Sequence, residues 1–520
     1  MVAADTIGRY AIGQQDFKTL RLDNAIYVDK SRYMELLVKS PAKFYFLARP
    51  RRFGKSLFLS MLKYFFEGER YLFKGLYIDT IDWDWEPRPV FHIDLNGGEY
   101  NDLKNLDIVI DNLLRGWERK YEVTITADNI TTRFQNVIEK AHESTGKQVI
   151  ILVDEYDKPL IKNLDSDRFE EYREKLAALY SNFKTSAQHI QLLFMTGVSR
   201  FSKLTVFSGL NNLKDITFSN EFADICGITE KELYSYFKEG IKMIAERYQI
   251  SFDEMKAKLK KNYDGYRFAE EGSDIYNPWS VLNCFDDKKI AFYWNETGFP
   301  SIIVKALRKM HSDLEETFNT ECDEEELKGF DLTDPNPVAL MYQTGYLTIK
   351  DYDPMTGTIR LGIPNEEVKS GLFKILIPYY AKFQSEGDSY KVKEFLKWIR
   401  QGKPERFMES MQTYFAGVSY MLKMDNENNF HNAFFLVTNL IGINSDAEVV
   451  TSDGRIDMTI KTPRFIYIIE LKYDRSAREA LDQINRKEYA RMFRDDSRKL
   501  FKIGVNFSSE TRTINDWLIE

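Results

Sequence analysis

Phe44-Tyr45-Phe46-Leu47-Ala48-Arg49-Pro50-Arg51-Arg52-Phe53-Gly54-Lys55-Ser56, residues 44–56, runs from five apolar positions into a basic loop that closes on Gly-Lys-Ser. Five uninterrupted apolar residues are too short for an amphipathic surface helix and read as a strand buried on both faces. Leu57–Glu67 carries a helical pattern, so the loop lies between strand and helix, where backbone amides at a helix N-terminus can hold phosphate. Gly54 allows close approach of the backbone, Lys55 can reach β- and γ-phosphates as a point charge, and the Ser56 hydroxyl suits Mg²⁺. Arg52 adds a second cation to this nucleotide-binding set. The loop is irregular: Arg49 stands where a glycine is usual, and Pro50 removes an amide.

Outward from this loop, the runs Val90–Leu95, Val149–Val153 and Leu192–Met195 are equally short and apolar. With helical stretches such as Phe169–Phe183 between strands, they predict an α/β domain built on a parallel sheet with flanking helices. The run Ile150–Glu155 ends in two carboxylates: Asp154 to hold Mg²⁺ through water, Glu155 to polarise an attacking water. A further strand ends in Thr196-Gly197-Val198-Ser199-Arg200, at the sheet edge where ligands bind in open α/β folds. Thr196 and Ser199 are placed to sense phosphate. Arg200 offers a cation to transition-state charge, within its own subunit or across the boundary of a homo-oligomer, or else makes a plain salt bridge.

Tyr27-Val28-Asp29-Lys30, the loop 49–56, Val153-Asp154-Glu155-Tyr156-Asp157 and Thr196–Phe201 together resemble the AAA-ATPase-like domain of many bacterial proteins, whose own loop is arginine-rich. The resemblance implies a P-loop NTPase-like fold and ATP as the ligand. The aromatic segments Tyr263–Phe268, Tyr276–Ser280 and Tyr293-Trp294 resemble the region C-terminal to that domain in the same proteins. They read as packing around tight turns in preference to base stacking, within a mainly helical lid or winged-helix-like region.

Composition narrows the function classes. At 520 residues the chain calls for several cores, and 43 % hydrophobic and 14 % aromatic content supplies them. Cys226, Cys284 and Cys322 form no paired motif, which argues against a zinc ribbon or disulfide framework and for a cytoplasmic location. A net charge of -8 does not suit bulk coating of nucleic acid, so any such contact must be local. No stretch has the apolar length a bilayer requires, and the five histidines lack metal-pair spacing, leaving carboxylates as the expected metal ligands.

Past Asp215 the strand signal gives way to helical patterns, Glu230–Arg247 and Asp253–Asn262, and Gln384–Lys391 reads as a linker. Strands return at Arg455–Ile460, Phe465–Leu471 and Leu500–Val505, with a helix Ala477–Phe493 between the later two. The expected domains are 1–215, 216–391 and 392–520. Within the last, Asp453-Gly454-Arg455-Ile456-Asp457 leads into a strand, and a second strand carries Glu470-Leu471-Lys472. Alternate residues of a strand share a face, so Glu470 and Lys472 project together, and pairing can bring Asp457 alongside. Asp457, Glu470 and the Leu471 carbonyl then suit Mg²⁺, and Lys472 orients the nucleophile or offsets charge, as phosphodiester hydrolysis needs.

These residues resemble the PD-(D/E)XK nuclease superfamily, with Ile456 in place of the proline before the first acid. The resemblance implies a restriction-endonuclease-like α/β fold, Mg²⁺ or Mn²⁺, and nucleic acid, DNA foremost, as substrate. It also implies a catalytic role for Gln483 and a metal-ligand role for Glu427. The expected activity is nucleotide-regulated or ATP-driven nuclease action of a kind that suits defence or mobile-element biology. The alternative is an ATP-binding switch or scaffold whose nuclease-like domain binds without cutting.

Overall fold

The computed structural model describes residues 9–124, 129–164, 166–200, 206–207, 209–210, 212–294, 300–309, 313–328, 336–380, 388–419, 427–443, 448–450 and 457–520. They form two compact units, 1–298 with 320–367, and 299–319 with 368–520. The stretch 216–391 is thus divided between them.

In the first unit the runs read as strands are strands: β1 Phe44–Ala48, β2 Val90–Asp94, β3 Val149–Asp154 and β4 Ile190–Gly197, with a short β5 Lys214–Asp215. They form one parallel sheet in the order β2-β3-β4-β1-β5. Every residue of β1 and β3 is buried, which is why Phe44–Ala48 and Val149–Val153 read as unbroken apolar runs. After β1 the chain crosses to the far edge and returns strand by strand, so β4 lies between the strand of the basic loop and the strand of paired carboxylates. The carboxyl ends of β1, β3 and β4 therefore meet along one edge, beside the point where strand order reverses.

Beyond the sheet, the expected helix Glu230–Arg247 is two helices, Glu230–Tyr236 and Lys238–Tyr248, parted at Phe237. Thr229 and Glu232 form a capping box on the first. A two-stranded pair, β6 Ile228–Thr229 and β7 Ile275–Tyr276, closes this region. The middle stretch is mainly helical but holds an unexpected antiparallel sheet, β8 Glu321–Cys322, β9 Thr348–Asp353 and β10 Thr358–Gly362, in the order β8-β10-β9. β9 hides only its first two residues fully, so its sequence shows no clean alternation.

The aromatic segments back the basic loop. The Phe53 ring meets Tyr266 and Phe268 edge to face at 4.8 and 5.3 Å. Gly345, at φ 86°, lies so close to the loop that a Cβ there would come within 2.9 Å of the Pro50 Cβ.

Glu367 is fully buried at the start of the helix Glu366–Tyr380. It accepts hydrogen bonds from Ser280 Oγ at 2.6 Å and from the Tyr293 and Trp294 amides at 2.5 and 3.0 Å. Burial pushes its carboxyl up to about 7, against the opposing pull of the Ser280 hydroxyl and the two amides. A raised folded-state value means that the folded chain holds the extra proton between the ordinary carboxyl range and about pH 7, so stability falls as pH rises through that window. Glu367→Gln, which keeps the acceptor oxygen, should melt with the parent at pH 4 and later than it at pH 8, by on the order of 3 kcal/mol. A melting difference that does not change with pH would contradict this.

The second unit holds a mixed sheet in the order β11 Glu448–Val450, β12 Met458–Lys461, β13 Phe465–Tyr473, β14 Lys499–Ser508, β15 Thr513–Ile519. β13 and β14 pair in parallel and the other neighbours antiparallel. The helix Ala477–Arg486 joins β13 to β14 and packs on the sheet at Gly504, where a Cβ would come within 2.3 Å of the Ala477 carbonyl oxygen. That helix stops short of the expected Phe493: Glu488 turns to φ 52° and Tyr489–Phe493 is a 3-10 turn. Of the expected linker, residues 388–391 open the helix Asp388–Arg400, and 384–387 fall outside the described residues, as do 455 and 456 of the expected strand before Met458.

Candidate functional site

Two sets of polar side chains form where strands end. In the first unit, a cavity of about 510 Å³ is lined by Gly54, Lys55, Ser56, Arg51, Arg52 and Glu155. Gly54 precedes the helix Lys55–Phe66 at φ 98°, a conformation that favours glycine. Lys55 is buried and donates to the carbonyl oxygens of Arg49 and Pro50 at 3.0 and 3.1 Å, so its ammonium spans the loop it belongs to. Arg49, the departure from the usual glycine, turns away from this cavity. Its guanidinium donates to the carbonyl oxygens of Ala48, Thr217 and Phe222 and lies 4.4 Å from the Phe268 ring centroid. It therefore braces the loop from behind.

Asp154 is buried at the end of β3 and accepts from Thr196 Oγ1 at 2.7 Å, across the β3–β4 pair. Thr196 thus orients the carboxylate. Glu155 follows at φ 53°, half-buried on the cavity wall. Ser199 donates its amide and hydroxyl to Asp157 Oδ2 at 2.7 and 2.5 Å. Burial, and next the Glu155 charge, push Asp157 above the usual carboxylate range, while Ser199 and the Lys55 charge pull it back. Arg200 pairs with Asp215 and gives its amide to Gln343 Oε1 at 2.7 Å. Of the sequence candidates, Arg52, Gly54, Lys55, Ser56 and Glu155 line the cavity. Asp154 and Thr196 sit at the adjoining strand ends, and Ser199 and Arg200 engage Asp157 and Asp215.

The lining also includes Asn96, Lys158 and Trp279, to which the sequence assigns no role at this site. Lys158 Nζ donates to Asn96 Oδ1 at 3.0 Å. Its signal was a cation three residues past Glu155, and Trp279 had none beyond its place in an aromatic segment.

In the second unit, Glu470 is fully buried on β13 and its Oε1 accepts from Lys472 Nζ at 3.1 Å and from the Gln483 amide of the packed helix. Asp457, just before β12, accepts the Leu471 amide on Oδ2 at 2.6 Å. Met458 pairs with Ile469, which sets Asp457 beside the Glu470–Leu471 step. Burial, and then the Asp457 charge, push Glu470 above its ordinary range, with Lys472 opposing. Glu470 Oε2 is buried without a hydrogen-bond partner. Such an oxygen, next to a second carboxylate, is the donor set a hard divalent cation accepts, and Asp457 with Glu470 fits that role.

Among the described residues no group of three or more His, Cys, Asp or Glu side chains is gathered for a metal. Glu427 is exposed at the first residue of the helix Glu427–Ile443. His431, one turn further on and one of the histidines without metal-pair spacing, lies 3.2 Å from Asp313 Oδ2 by Nδ1 and 3.8 Å from Glu315 Oε2 by Nε2. Burial disfavours its charge, but Asp313, Asp457 and Glu315 outweigh that and raise its pKa.

No helix among the described residues is long and apolar enough to cross a membrane. Residues 11–207 match the family described as Predicted AAA-ATPase, and 425–517 match the PD-(D/E)XK nuclease superfamily. The chain is 33 % identical over 529 residues to a protein of Azotobacter chroococcum mcd 1 called "Uncharacterized protein in vnfD 5'region", with 98 % of each covered. The chain belongs to the family of that protein, and it carries in order a predicted AAA-ATPase domain and a PD-(D/E)XK nuclease superfamily domain.

Proposed function

We propose that the chain is a nucleotide-regulated or ATP-driven, divalent-metal-dependent nuclease that hydrolyses phosphodiester bonds of nucleic acid, with DNA the substrate proposed first, in the cytoplasm. The observation that carries this reading is the convergence of Asp457, Glu470, Lys472 and Gln483, with one Glu470 oxygen buried and unpartnered. A scaffold alone gains nothing from burying a carboxylate beside a second acid, because the two repel. Mg²⁺ or Mn²⁺ on these acids would supply a water of lowered pKa and neutralise the scissile phosphate. Lys472 and Gln483 fix the Glu470 carboxylate, and Lys472 is placed to offset charge that develops on the phosphate. In the other unit, Lys55 exchanges the loop carbonyls for ATP phosphates, Ser56 and Asp154 serve Mg²⁺, and Glu155 polarises water.

A second reading is favoured by one observation: Ser199 and Arg200 engage Asp157 and Asp215. ATP is then held as a switch ligand with slow turnover, and the nuclease-like domain recognises nucleic acid or protein without cutting. Labelled single- and double-stranded DNA and RNA, incubated with or without Mg²⁺ and ATP, separate the two readings. Cleavage that requires metal and disappears in Asp457→Ala is expected. Intact substrates throughout, with ATP still bound, would leave the switch.

A further inference from the structure

Trp279 is the second residue of the helix Pro278–Asp287, outside the stretch matched to the Predicted AAA-ATPase family, yet it lines the same cavity as Gly54, Lys55 and Ser56. The Arg52 guanidinium lies over its ring, 3.9 Å from the centroid. Arg52 is an exposed loop residue three positions before Lys55, and its backbone sits at φ 68°, in the left-handed region that non-glycine residues enter at a cost. A cation on the half-buried Trp279 indole face is held by a single cation–π contact, more weakly than one in several charge-assisted hydrogen bonds to phosphate. A triphosphate bound at Lys55 would therefore compete for Arg52 and win.

What lies behind the indole leads away from the cavity. Trp279 Nε1 donates to the Tyr293 carbonyl at 3.2 Å, and the Tyr293 amide donates to Glu367 Oε1 at 2.5 Å. The neighbouring Ser280 hydroxyl donates to Glu367 Oε2 at 2.6 Å. Glu367 is the second residue of the helix Glu366–Tyr380, and the chain leaves the first unit between Glu367 and Val368. A continuous set of hydrogen bonds thus runs from the ring beneath Arg52 to the start of that helix.

We propose that Trp279 is a positioning residue of the nucleotide site: it holds Arg52 on its ring, yields it to the phosphates of a bound nucleoside triphosphate, and relays the exchange through Tyr293 and Glu367 to the helix Glu366–Tyr380. The inference rests on the nucleotide reading above. Hydrogen exchange of the full chain with and without saturating ATP tests it, with occupancy confirmed by calorimetry. In the wild type, exchange of the amides of 366–380 should change by about threefold or more on ATP addition. In Trp279→Leu at equal occupancy that change should vanish. A merely structural tryptophan would alter the basal exchange and leave the ATP-dependent difference standing.

Arg52→Gln, at an exposed position, gives the same expected loss where Trp279→Leu does not fold. A response in 366–380 that survives in the folded variants overturns the proposal, as does a wild type that binds ATP with no response there. If calorimetry finds no ATP binding to the wild type, the nucleotide reading falls and takes the relay with it.

Discussion

Glu470→Gln should abolish metal-dependent cleavage, with a loss on the order of 10³-fold or more. The substitution removes a charge at constant shape. Glutamine keeps an oxygen to accept from Lys472 and can still meet the Gln483 amide, so the local hydrogen bonds survive. What disappears is the second carboxylate that, with Asp457, would bind the cation. Stability should not suffer, because burial and the Asp457 charge hold the Glu470 carboxyl above its ordinary range in the folded chain. Its ionisation therefore costs stability as pH rises, and the amide is spared that cost.

The variant should accordingly melt no earlier than the parent at neutral pH without metal. It should also lose the rise in melting temperature that Mg²⁺ or Mn²⁺ gives the parent by binding the folded state alone. Cleavage at the parental rate in Glu470→Gln would remove Glu470 from the reaction. A variant that is inactive and also unfolds early would point to a structural loss, which the metal-dependent melting shift keeps distinct.

Lys55→Ala should weaken ATP binding on the order of 100-fold, read by calorimetry. In the structure this ammonium bridges the Arg49 and Pro50 carbonyls, both within its own loop. Phosphate must draw it from those partners, and the gain from a charged acceptor over neutral carbonyls makes the exchange favourable. Lys55→Arg should not restore affinity, since a planar fork cannot replace a compact ammonium in a buried position beneath the loop. Wild-type affinity in Lys55→Ala would locate the phosphates elsewhere in the cavity. Arg51, Arg52 and Lys158 on the same wall are the cations to examine in that case.

How much was legible beforehand depended on the range of the interaction that sets each feature. β1 and β3 were readable because burial on both faces demands an apolar residue at every position of a short run. Gly54 was readable because a strand-to-helix turn at φ 98° favours glycine. Glu470 and Lys472 were readable as a pair because strand period alone puts them on one face. The helix stop at Arg486 and the break at Phe237 were missed, since each depends on a terminal turn that periodicity carries past.

Other features depend on residues far apart in the chain, and local pattern carries no trace of them. Arg49 stands in the sequence only as a departure from the usual glycine, but carbonyls 168 residues or more further on turn it away from the cavity. Ser199 meets Asp157 because β3 and β4 are neighbours in the sheet. β8 to β10 emerge from weakly patterned segments because pairing across the sheet supplies the hydrogen bonds that propensity does not. His431 joins Asp313 and Glu315 from 116 or more positions away, and Trp279 joins Arg52 from 227. Sequence periodicity therefore set the strands β1 to β4 and β12 to β14 and which acids and cations stand at their ends, because burial and backbone geometry act residue by residue. Which of those side chains face a ligand and which brace one another was settled by the packing of distant segments, where a buried charge must find its partner wherever the fold brings one.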